Sequence, residues 1–217
     1  MIKIEKTSVF NWENAIRGMR NAMNSWDKSD SGWTKDFSNE THYPVSVNGE
    51  YGFFIGENDR ALMKKLVRAG SDHRKFMRQI FVSIDITAPL YLWKEFDTYK
   101  VATVANSTST MHKIHANPFS LSDFSTDHMD EETLAQFDGI IAYLEKLRGK
   151  YLETKNKQYW YDMIQFLPSS YNQLRTVTLN YEVLRNMYHA RKEHKLDEWH
   201  TLCDLIKTLP FSELITM

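Results

Sequence analysis

Cysteine, proline and glycine are scarce in this chain. Its 217 residues include 1 cysteine, 5 prolines and 8 glycines. The single cysteine, Cys203, excludes an internal disulfide and is typical of a reducing compartment. Cys203 recurs at helical spacing with Trp199 and Ile206, which predicts a small core side chain rather than a nucleophile. The sequence contains no Gly-rich phosphate loop and no Rossmann fingerprint, so a standard P-loop or NAD-binding mechanism has no support.

An excess of charge and a long apolar run are also missing. The 27 Lys and Arg residues nearly balance the 28 Asp and Glu residues. The protein therefore has no overall field that would hold a nucleic acid or an anionic membrane. The first residues have the pattern of a strand rather than of a signal peptide, and no later stretch reaches the apolar length needed to span a bilayer. We expect a cytoplasmic protein with no nucleic-acid partner and no membrane association.

Apolar and aromatic residues, by contrast, are plentiful. Hydrophobic residues make up 42% of the chain, which is enough for one sizeable core, so we expect a single domain over residues 1–217. The 6 Trp, 11 Tyr and 12 Phe residues suit a flat-ring ligand or an oligomer interface as well as a core.

Hydrophobic periodicity predicts a strand in the first half of the chain and several helices. Residues 79–87 alternate between apolar and polar side chains, as in a half-buried strand. Residues 101–125 are polar, so we expect an irregular segment there and a natural place for a site. The order of elements predicts an α+β fold, with a small N-terminal antiparallel sheet and a helical C-terminal half. Helices are predicted over residues 58–69, 90–99, 130–153, 157–166, 170–194 and 196–208.

Two groups of polar residues suggest chemistry by their spacing alone. His112, His115 and His128 make a metal site conceivable. A bare His-x-x-His pair lacks a third ligand and the outer partners that orient it, so we expect no metal. The run over residues 106–113 combines hydroxyl groups with a cation at its end, and would either cradle an anion or contact only water.

The predicted helix over residues 170–194 carries a third group. Asn180, Met187 and Arg191 share one face of it, because eleven residues at 3.6 per turn return almost to the same direction, about 16 Å along the axis. Asn180 and Arg191 would then hold two ends of a long anionic ligand, or Arg191 would pair with a carboxylate. Spacing alone favours the ion pair.

Several segments, in the same order, resemble the flavin-dependent thymidylate synthases. Residues 59–70 look like the helix before the family's His-Glu-Thr-Pro-Phe segment, where His73 stands for that histidine. Residues 80–89 are similar to the strand and Ala-Pro turn that lead into the family signature. The resemblance covers most of the chain. Its C-terminal matches, to the family's Leu-Pro, Thr-x-Asn and final Arg, are Leu167-Pro168, Thr178-Leu-Asn180 and Arg191.

The family signature is altered in this sequence. In the family it reads Arg-His-Arg-x-x-Ser-x-Asn-Glu-x-Ser-x-Arg-Tyr, after an Arg-Gln-Trp that corresponds to Lys94-Glu95-Phe96. Without a gap, Lys100 replaces the last Arg of the triplet. With one inserted residue, Asn106 and Ser109 take the places of the motif's Asn and second Ser. Either register loses most of the motif's arginines.

The lost arginines hold phosphate groups in the family. They bind the pyrophosphate of the flavin and the phosphate of deoxyuridine monophosphate (dUMP). A further phosphate-binding Arg corresponds to Ile164, and the Arg two residues after the helix Asn corresponds to Glu182. Because the bidentate fork of Arg is missing and Glu182 would repel a phosphate, we expect weakened binding of substrate or cofactor.

The resemblance implies methylation of dUMP to thymidine monophosphate. Reduced FAD takes a methylene group from methylenetetrahydrofolate, passes it to the uracil ring and delivers hydride, and NADPH regenerates the flavin. The protein supplies placement and electrostatics rather than a nucleophile. By position, the expected site consists of Ser109 as the catalytic residue, His73, Lys100 and Asn180 at the cofactor, and Glu95, Lys113 and Arg191 at the substrate.

Two interpretations stay open at this point. The first is a working synthase of a divergent branch, in which Lys and hydroxyl groups replace the arginines. The second is a divergent paralogue that binds nucleotide or flavin, or acts as a scaffold, without turnover. The spacing of His73, Asn180 and Arg191 slightly favours the enzyme. Family members are homotetramers with sites built between subunits, so we expect a homotetramer in which a neighbouring chain replaces a missing cation.

Overall fold

The computed structural model describes residues 2–35, 42–43 and 52–217. Within these ranges the chain forms strands and helices, joined in places by short 3-10 turns. The strands are β1 (Lys3–Phe10), β2 (Gly32–Thr34), β3 (His42–Tyr43), β4 (Gly52–Phe54), β5 (Phe81–Pro89), β6 (Val104–Ser107) and β7 (Asn172–Asn180). The helices are α1 (Trp12–Arg20), α2 (Glu57–Arg68), α3 (Leu90–Phe96), α4 (Glu131–Thr154), α5 (Lys157–Phe166), α6 (Tyr181–Arg191), α7 (Asp197–Thr208) and α8 (Glu213–Thr216).

The strands form two small sheets. The first has the order β1-β5-β7-β6. In the second, β4 lies between β2 and β3 and pairs antiparallel with both, so that Trp33 and Tyr43 lie on either side of Phe53. The predicted α+β class is confirmed. The sheet is not confined to the N-terminal half, however, because the largely helical C-terminal half contributes β7.

β5 has the alternation that the sequence predicted. Ile80, Val82, Ile84 and Ile86 are at most 4% exposed, and the side chains between them are half-buried. The strand ends at Pro89 and α3 follows at once, because proline is tolerated just before the first turn of a helix but cannot continue a ladder. Both elements are confirmed.

The predicted helix over residues 170–194 is wrong in its first part. Residues Asn172–Asn180 form β7, and α6 begins only at Tyr181. Gln173, Val177 and Leu179 are buried, and the side chains on either side of Gln173 and Val177 are more exposed, which is the alternation of a strand. A β-branched run at its centre also favours a strand. The helical pattern of α6 is real, and the prediction extended it too far towards the N-terminus.

The segment over residues 101–125, predicted to be irregular, contains one strand. β6 is exposed at every position and lies at the edge of the first sheet. An edge strand pairs on one side only, and here it has no buried face, so no apolar alternation marks it in the sequence. Apart from a 3-10 turn at Leu121–Asp123, the rest of the segment is irregular.

The remaining predicted helices are confirmed as α2, α3, α4, α5 and α7, with shifts at their ends. α4 begins as expected, because the side chain of Asp130 accepts a hydrogen bond from Thr133 N at 2.8 Å. Cys203 is 3% exposed and lies on the buried face of α7 with Trp199 and Ile206, so it is a core side chain. α1 and α8 have no predicted counterpart.

The chain divides into two compact units. Unit 1 comprises Met1–Glu5, Asp85–Thr98 and Ala105–Thr176, and unit 2 comprises Lys6–Ile84, Tyr99–Val104 and Val177–Met217. Whether residues 1–217 form a single domain stays a prediction. Over the described ranges, no helix combines the length and the apolar character that crossing a membrane requires. The core of unit 1 contains Ile114, Phe119, Phe124, Phe137, Leu144, Leu147 and Met163.

Candidate functional site

Asn180 lies at the N-terminal end of α6, in unit 2. It is 2% exposed, and its Oδ1 accepts a hydrogen bond from Val183 N at 3.0 Å. Asn180 is therefore the N-cap of α6, because its side chain satisfies an N–H group that has no partner within the helix. With Oδ1 engaged, Nδ2 is the atom of this side chain that can donate to a ligand.

Glu182, in the first turn of α6, forms an ion pair with Arg74. Arg74 Nε donates to Glu182 Oε2 at 2.8 Å, and Nη2 donates to Oε1 at 3.0 Å. The expectation that Glu182 would repel a phosphate is therefore wrong, because a bidentate arginine neutralises its charge. The pair also ties the turn that carries the exposed His73 to the first turn of α6.

Arg185 adds a second cation near this end of α6. Burial and the charge of Arg74 lower the pKa of Arg185, while the charge of Glu182 raises it. The Nη1 of Arg185 donates to Ile215 O at 3.0 Å and to Met217 O, so the C-terminal segment holds this guanidinium. The N-terminal end of a helix is itself positive, so this neighbourhood favours an anionic group. Spacing along the sequence did not reveal Arg74 or Arg185, because both act through the fold.

Arg191 is the last residue of α6 and lies against two aromatic rings. Its guanidinium carbon is 4.8 Å from the ring centroid of Trp199 and 5.7 Å from that of Tyr99. Its Nε donates to Tyr99 Oη at 3.0 Å. A cation over a ring face is attracted by the ring's quadrupole, so these contacts hold the guanidinium in place. Lys100 follows Tyr99, is exposed, and forms no ion pair with the residues that the structure describes.

Asn180 and Arg191 therefore mark the two ends of α6 rather than one face of a longer helix. The 11 residues of α6 span about 16 Å, so the predicted separation is retained although the predicted helix is not. His73 precedes Arg74, which pairs with Glu182 in the first turn of α6. Lys100 follows Tyr99, which accepts a hydrogen bond from Arg191 at the other end of α6. A shared site for these four residues stays a prediction.

The expected site residues of unit 1 lie on α3 and on the loop after β6. Ser109 is exposed, and its Oγ accepts hydrogen bonds from Met111 N at 3.2 Å and from His112 N at 2.8 Å. Lys113 is exposed and has no carboxylate partner within the described part of the chain. Glu95 is half-buried on α3.

This loop is fixed by hydrogen bonds to neighbouring elements. Thr108 N donates to Leu174 O of β7 at 2.9 Å, and Gln173 Nε2 donates to Thr108 O at 2.7 Å. Trp160 Nε1 of α5 donates to Met111 O at 3.0 Å. A polar loop held in this way presents its hydroxyl groups in a set geometry, which a ligand site requires.

Arg175 on β7 is a further arginine that the sequence prediction missed. Its guanidinium carbon is 4.3 Å from the ring centroid of Trp93, and its Nη1 donates to Asp97 at 2.8 Å. Its Nε donates to Gln173 Oε1 at 3.0 Å, which couples it to the loop after β6. The signal was the alternation of β7, which the predicted helix concealed.

Two histidines of the polar segment, His112 and His115, lie in different surroundings. The ring of His115 lies edge-on to Tyr151, with centroids 4.8 Å apart, and His112 is exposed. Among the residues that the structure describes, no group of three or more His, Cys, Asp or Glu side chains could hold a metal ion.

Comparison with known proteins identifies the fold. No family model and no curated protein matches the sequence. Thymidylate Synthase X (ThyX) from Helicobacter pylori, crystallised with FAD and dUMP, matches 100% of this chain and 97% of its own, with a TM-score of 0.69 and 15% identity. A second structure, of the flavin dependent thymidylate synthase ThyX from the same organism complexed with FAD and dUMP, gives a TM-score of 0.65 at 15% identity over 99% of this chain and 97% of its own.

A third match extends the likeness to another enzyme. The UMP/dUMP methylase PolB from Streptomyces cacaoi, bound with 5-Br dUMP, has a TM-score of 0.63 and 10% identity over 100% of this chain and 93% of its own. At these identities the likeness is one of fold. The resemblance seen in the sequence is confirmed at that level: this chain has a fold like that of the flavin-dependent thymidylate synthases.

Proposed function

We propose that this chain methylates dUMP to thymidine monophosphate, using methylenetetrahydrofolate and reduced flavin. The observation that carries the proposal is the match over nearly the full length of both chains with ThyX, which was crystallised with FAD and dUMP. The likeness to a UMP/dUMP methylase supports uracil nucleotides as the substrate class.

Two exposed lysines supply positive charge for phosphate. Lys100 and Lys113 have no ion pair with any residue in the described ranges, so their charges are available to a ligand. A lysine is a point charge without the fork of an arginine, and exposed charges are screened by salt. We therefore assign Lys113, Arg191 and Glu95 to the substrate and expect modest, salt-dependent affinity.

The cofactor assigned to the site is FAD, with NADPH as the reductant. Asn180 Nδ2, Lys100 Nζ and the exposed ring of His73 are donors. The N-terminal end of α6 is positive through its helix dipole, so these residues fit an oxygen-rich, negatively charged cofactor. When bound, reduced FAD supplies the methylene-transfer and hydride chemistry of the reaction.

Ser109 is the residue we place at the reacting atoms. Two backbone N–H groups already donate to its Oγ. With those acceptor positions used, its hydroxyl hydrogen is directed towards a third partner, and an oxygen atom of the uracil ring is a suitable acceptor. Because two N–H groups donate to Oγ, they polarise the hydroxyl and strengthen the hydrogen bond that it donates.

A second candidate is a protein that binds nucleotide or flavin, or acts as a scaffold, without turnover. This second candidate is favoured by the contacts of Arg191 and Asn180 within the protein. Arg191 lies on the rings of Tyr99 and Trp199, and Asn180 caps α6. Neither contact excludes a ligand, and we retain the enzyme as the first proposal.

Turnover distinguishes the two candidates. The full chain is incubated with FAD, NADPH, methylenetetrahydrofolate and either dUMP or UMP, and methylated nucleotide is measured by chromatography. We expect product from dUMP, a flavin absorption band in the purified protein, and loss of product in Ser109→Ala with flavin retained. Binding without product would favour the second candidate, and binding of neither flavin nor nucleotide would contradict both.

Salt dependence tests the role of Lys113. We expect dUMP binding to weaken as salt rises, and Lys113→Ala to weaken it at low salt and to reduce that dependence. Lys146→Ala, at an exposed position of α4, is the matched control and should behave like the wild type. Calorimetric titration at low and high salt measures this. If dUMP affinity depends neither on salt nor on Lys113, the loop that carries Lys113 is not part of the phosphate site.

A further inference from the structure

Gln173 on β7 connects a fixed arginine to the loop that carries Ser109. Gln173 is 6% exposed. Its Oε1 accepts a hydrogen bond from Arg175 Nε at 3.0 Å, and its Nε2 donates to Thr108 O at 2.7 Å. All four residues belong to unit 1. Both ends of this buried side-chain amide are therefore used within the protein.

The chemistry of the two partners determines which way this amide points. A guanidinium only donates hydrogen bonds, and a backbone carbonyl only accepts them. The carbonyl oxygen of Gln173 therefore faces Arg175, and its NH2 group faces Thr108 O. Turning the amide over would place donor against donor and acceptor against acceptor. Arg175 thus keeps the donor of Gln173 directed at the loop.

Arg175 and Gln173 are both attached to Trp93 of α3. The guanidinium carbon of Arg175 lies 4.3 Å from the ring centroid of Trp93, and its Nη1 donates to Asp97 Oδ1 at 2.8 Å. Trp93 is 1% exposed, and its Nε1 donates to the backbone O of Gln173 at 3.0 Å. Since a buried tryptophan is itself fixed by packing, Gln173 is a rigid point of attachment for the loop.

The attachment acts on the peptide group that precedes Ser109. Thr108 O and Ser109 N belong to one planar peptide unit. Gln173 Nε2 holds that oxygen, and the backbone of β7 accepts a hydrogen bond from Thr108 N at 2.9 Å, so the direction in which the chain enters Ser109 is set. On the other side, Trp160 Nε1 donates to Met111 O at 3.0 Å. Ser109 therefore lies between two anchors, and Gln173 is the nearer one.

We propose that Gln173 is a positioning residue, which sets through Thr108 the backbone from which Ser109 directs its hydroxyl group. The proposal rests on the function proposed above, in which Ser109 lies at the reacting atoms. Gln173 acts through the backbone rather than on the substrate. Its loss should therefore misplace Ser109, whereas Lys113 lies beyond the second anchor, at Met111, and should keep its position.

Gln173→Glu tests this with a side chain of the same shape. The ionised carboxylate still accepts a hydrogen bond from Arg175 but cannot donate to Thr108 O. We expect kcat to fall about tenfold, the effect of a small displacement of a group at the reacting atoms, with an unchanged KM for dUMP. Hydrogen exchange of the full chain, measured by mass spectrometry, should become about tenfold faster in residues 108–113 and stay the same in α5.

Two further variants serve as control and confirmation. Thr176→Val is the matched control, because Thr176 lies on the same strand and its Oγ1 donates to Asp85 on β5, at 2.6 Å, rather than to the loop. It should behave like the wild type in both measurements. Gln173→Met removes both side-chain hydrogen bonds without adding a charge, and it should also lower kcat and speed exchange.

Unchanged exchange in residues 108–113 of both Gln173 variants would overturn the proposal. It would equally be overturned by faster exchange with the kcat of the wild type, or by a KM that rises as far as kcat falls. If the wild type forms no methylated product, the proposed function fails, and the exchange measurement still decides whether Gln173 holds the loop at Ser109.

Discussion

At the scale of single residues, Arg191 combines a structural contact with a position at the proposed site. Arg191→Ala removes a guanidinium from Tyr99 and Trp199. We expect the free energy of unfolding to fall by about 1 kcal/mol, the typical value of a partly buried cation–π contact, and dUMP affinity to fall as well. Tyr99→Phe removes only the hydroxyl partner and should have the smaller effect on both. Unchanged affinity with reduced stability, in thermal melts and titrations, would make Arg191 purely structural.

The surroundings of Asp59 predict how the stability of the protein changes as the pH falls. It is fully buried and receives hydrogen bonds from Arg20, Ser29 and Ser31. Burial alone would raise the pKa of Asp59, but these hydrogen bonds and the Arg20 charge lower it below its ordinary value. The folded state thus resists protonation more than the unfolded state does. The resulting stabilisation is complete above the ordinary pKa and is lost as the pH falls through the lowered one.

We therefore expect Asp59→Asn to lose about 3–5 kcal/mol of stability at neutral pH, because Arg20 is left buried without its partner charge. The difference from the wild type should narrow below about pH 4, because the Asp59 carboxyl of the unfolded wild type is protonated there before that of the folded protein. Urea unfolding at several pH values measures both effects. Asp138→Asn, at an exposed position of α4, serves as the control. A difference that stays constant with pH would contradict the assignment.

At the scale of elements, two substitutions of Asn180 at the start of α6 distinguish a structural role of this residue from a binding role. Asn180→Ala removes the cap and should cost about 1 kcal/mol of stability. Asn180→Ser retains a capping oxygen and should restore most of that stability, but it lacks the Nδ2 donor. We expect flavin affinity, measured by fluorescence, to fall in both variants. Affinity that recovers in Asn180→Ser would show that Asn180 serves only the helix.

β7 and α6 show why adjacent elements were confused. The helical spacing of residues 181–191 is strong, and the residues before it include apolar side chains that fit either period. The pairing of β7 between β5 and β6, together with the β-branched run at its centre, selects the strand. Arg175 was missed for the same reason, since its contacts with Trp93 and Asp97 exist only in the strand conformation.

At the scale of the whole molecule, we predict a homotetramer. The arginines that hold phosphate in the resembled family are replaced here, and sites built between subunits would allow a neighbouring chain to supply cations. Sedimentation velocity at micromolar concentration should show one species of four chains, and added dUMP should not dissociate it. A monomer under those conditions would leave the proposed site without its shared residues.

The sequence by itself determined the elements whose signal is local. The alternation of β5, the stripes of α2, α4 and α7, and the Asp130 cap depend on neighbours along the chain, so they were predictable. The resemblance, which follows the order of motifs, also predicted the fold. Only the tertiary structure decided which partners the charged residues of the proposed site contact. Arg74 meets Glu182 across 108 residues and Arg191 meets Tyr99 across 92, and such contacts depend on packing between distant segments rather than on any local period.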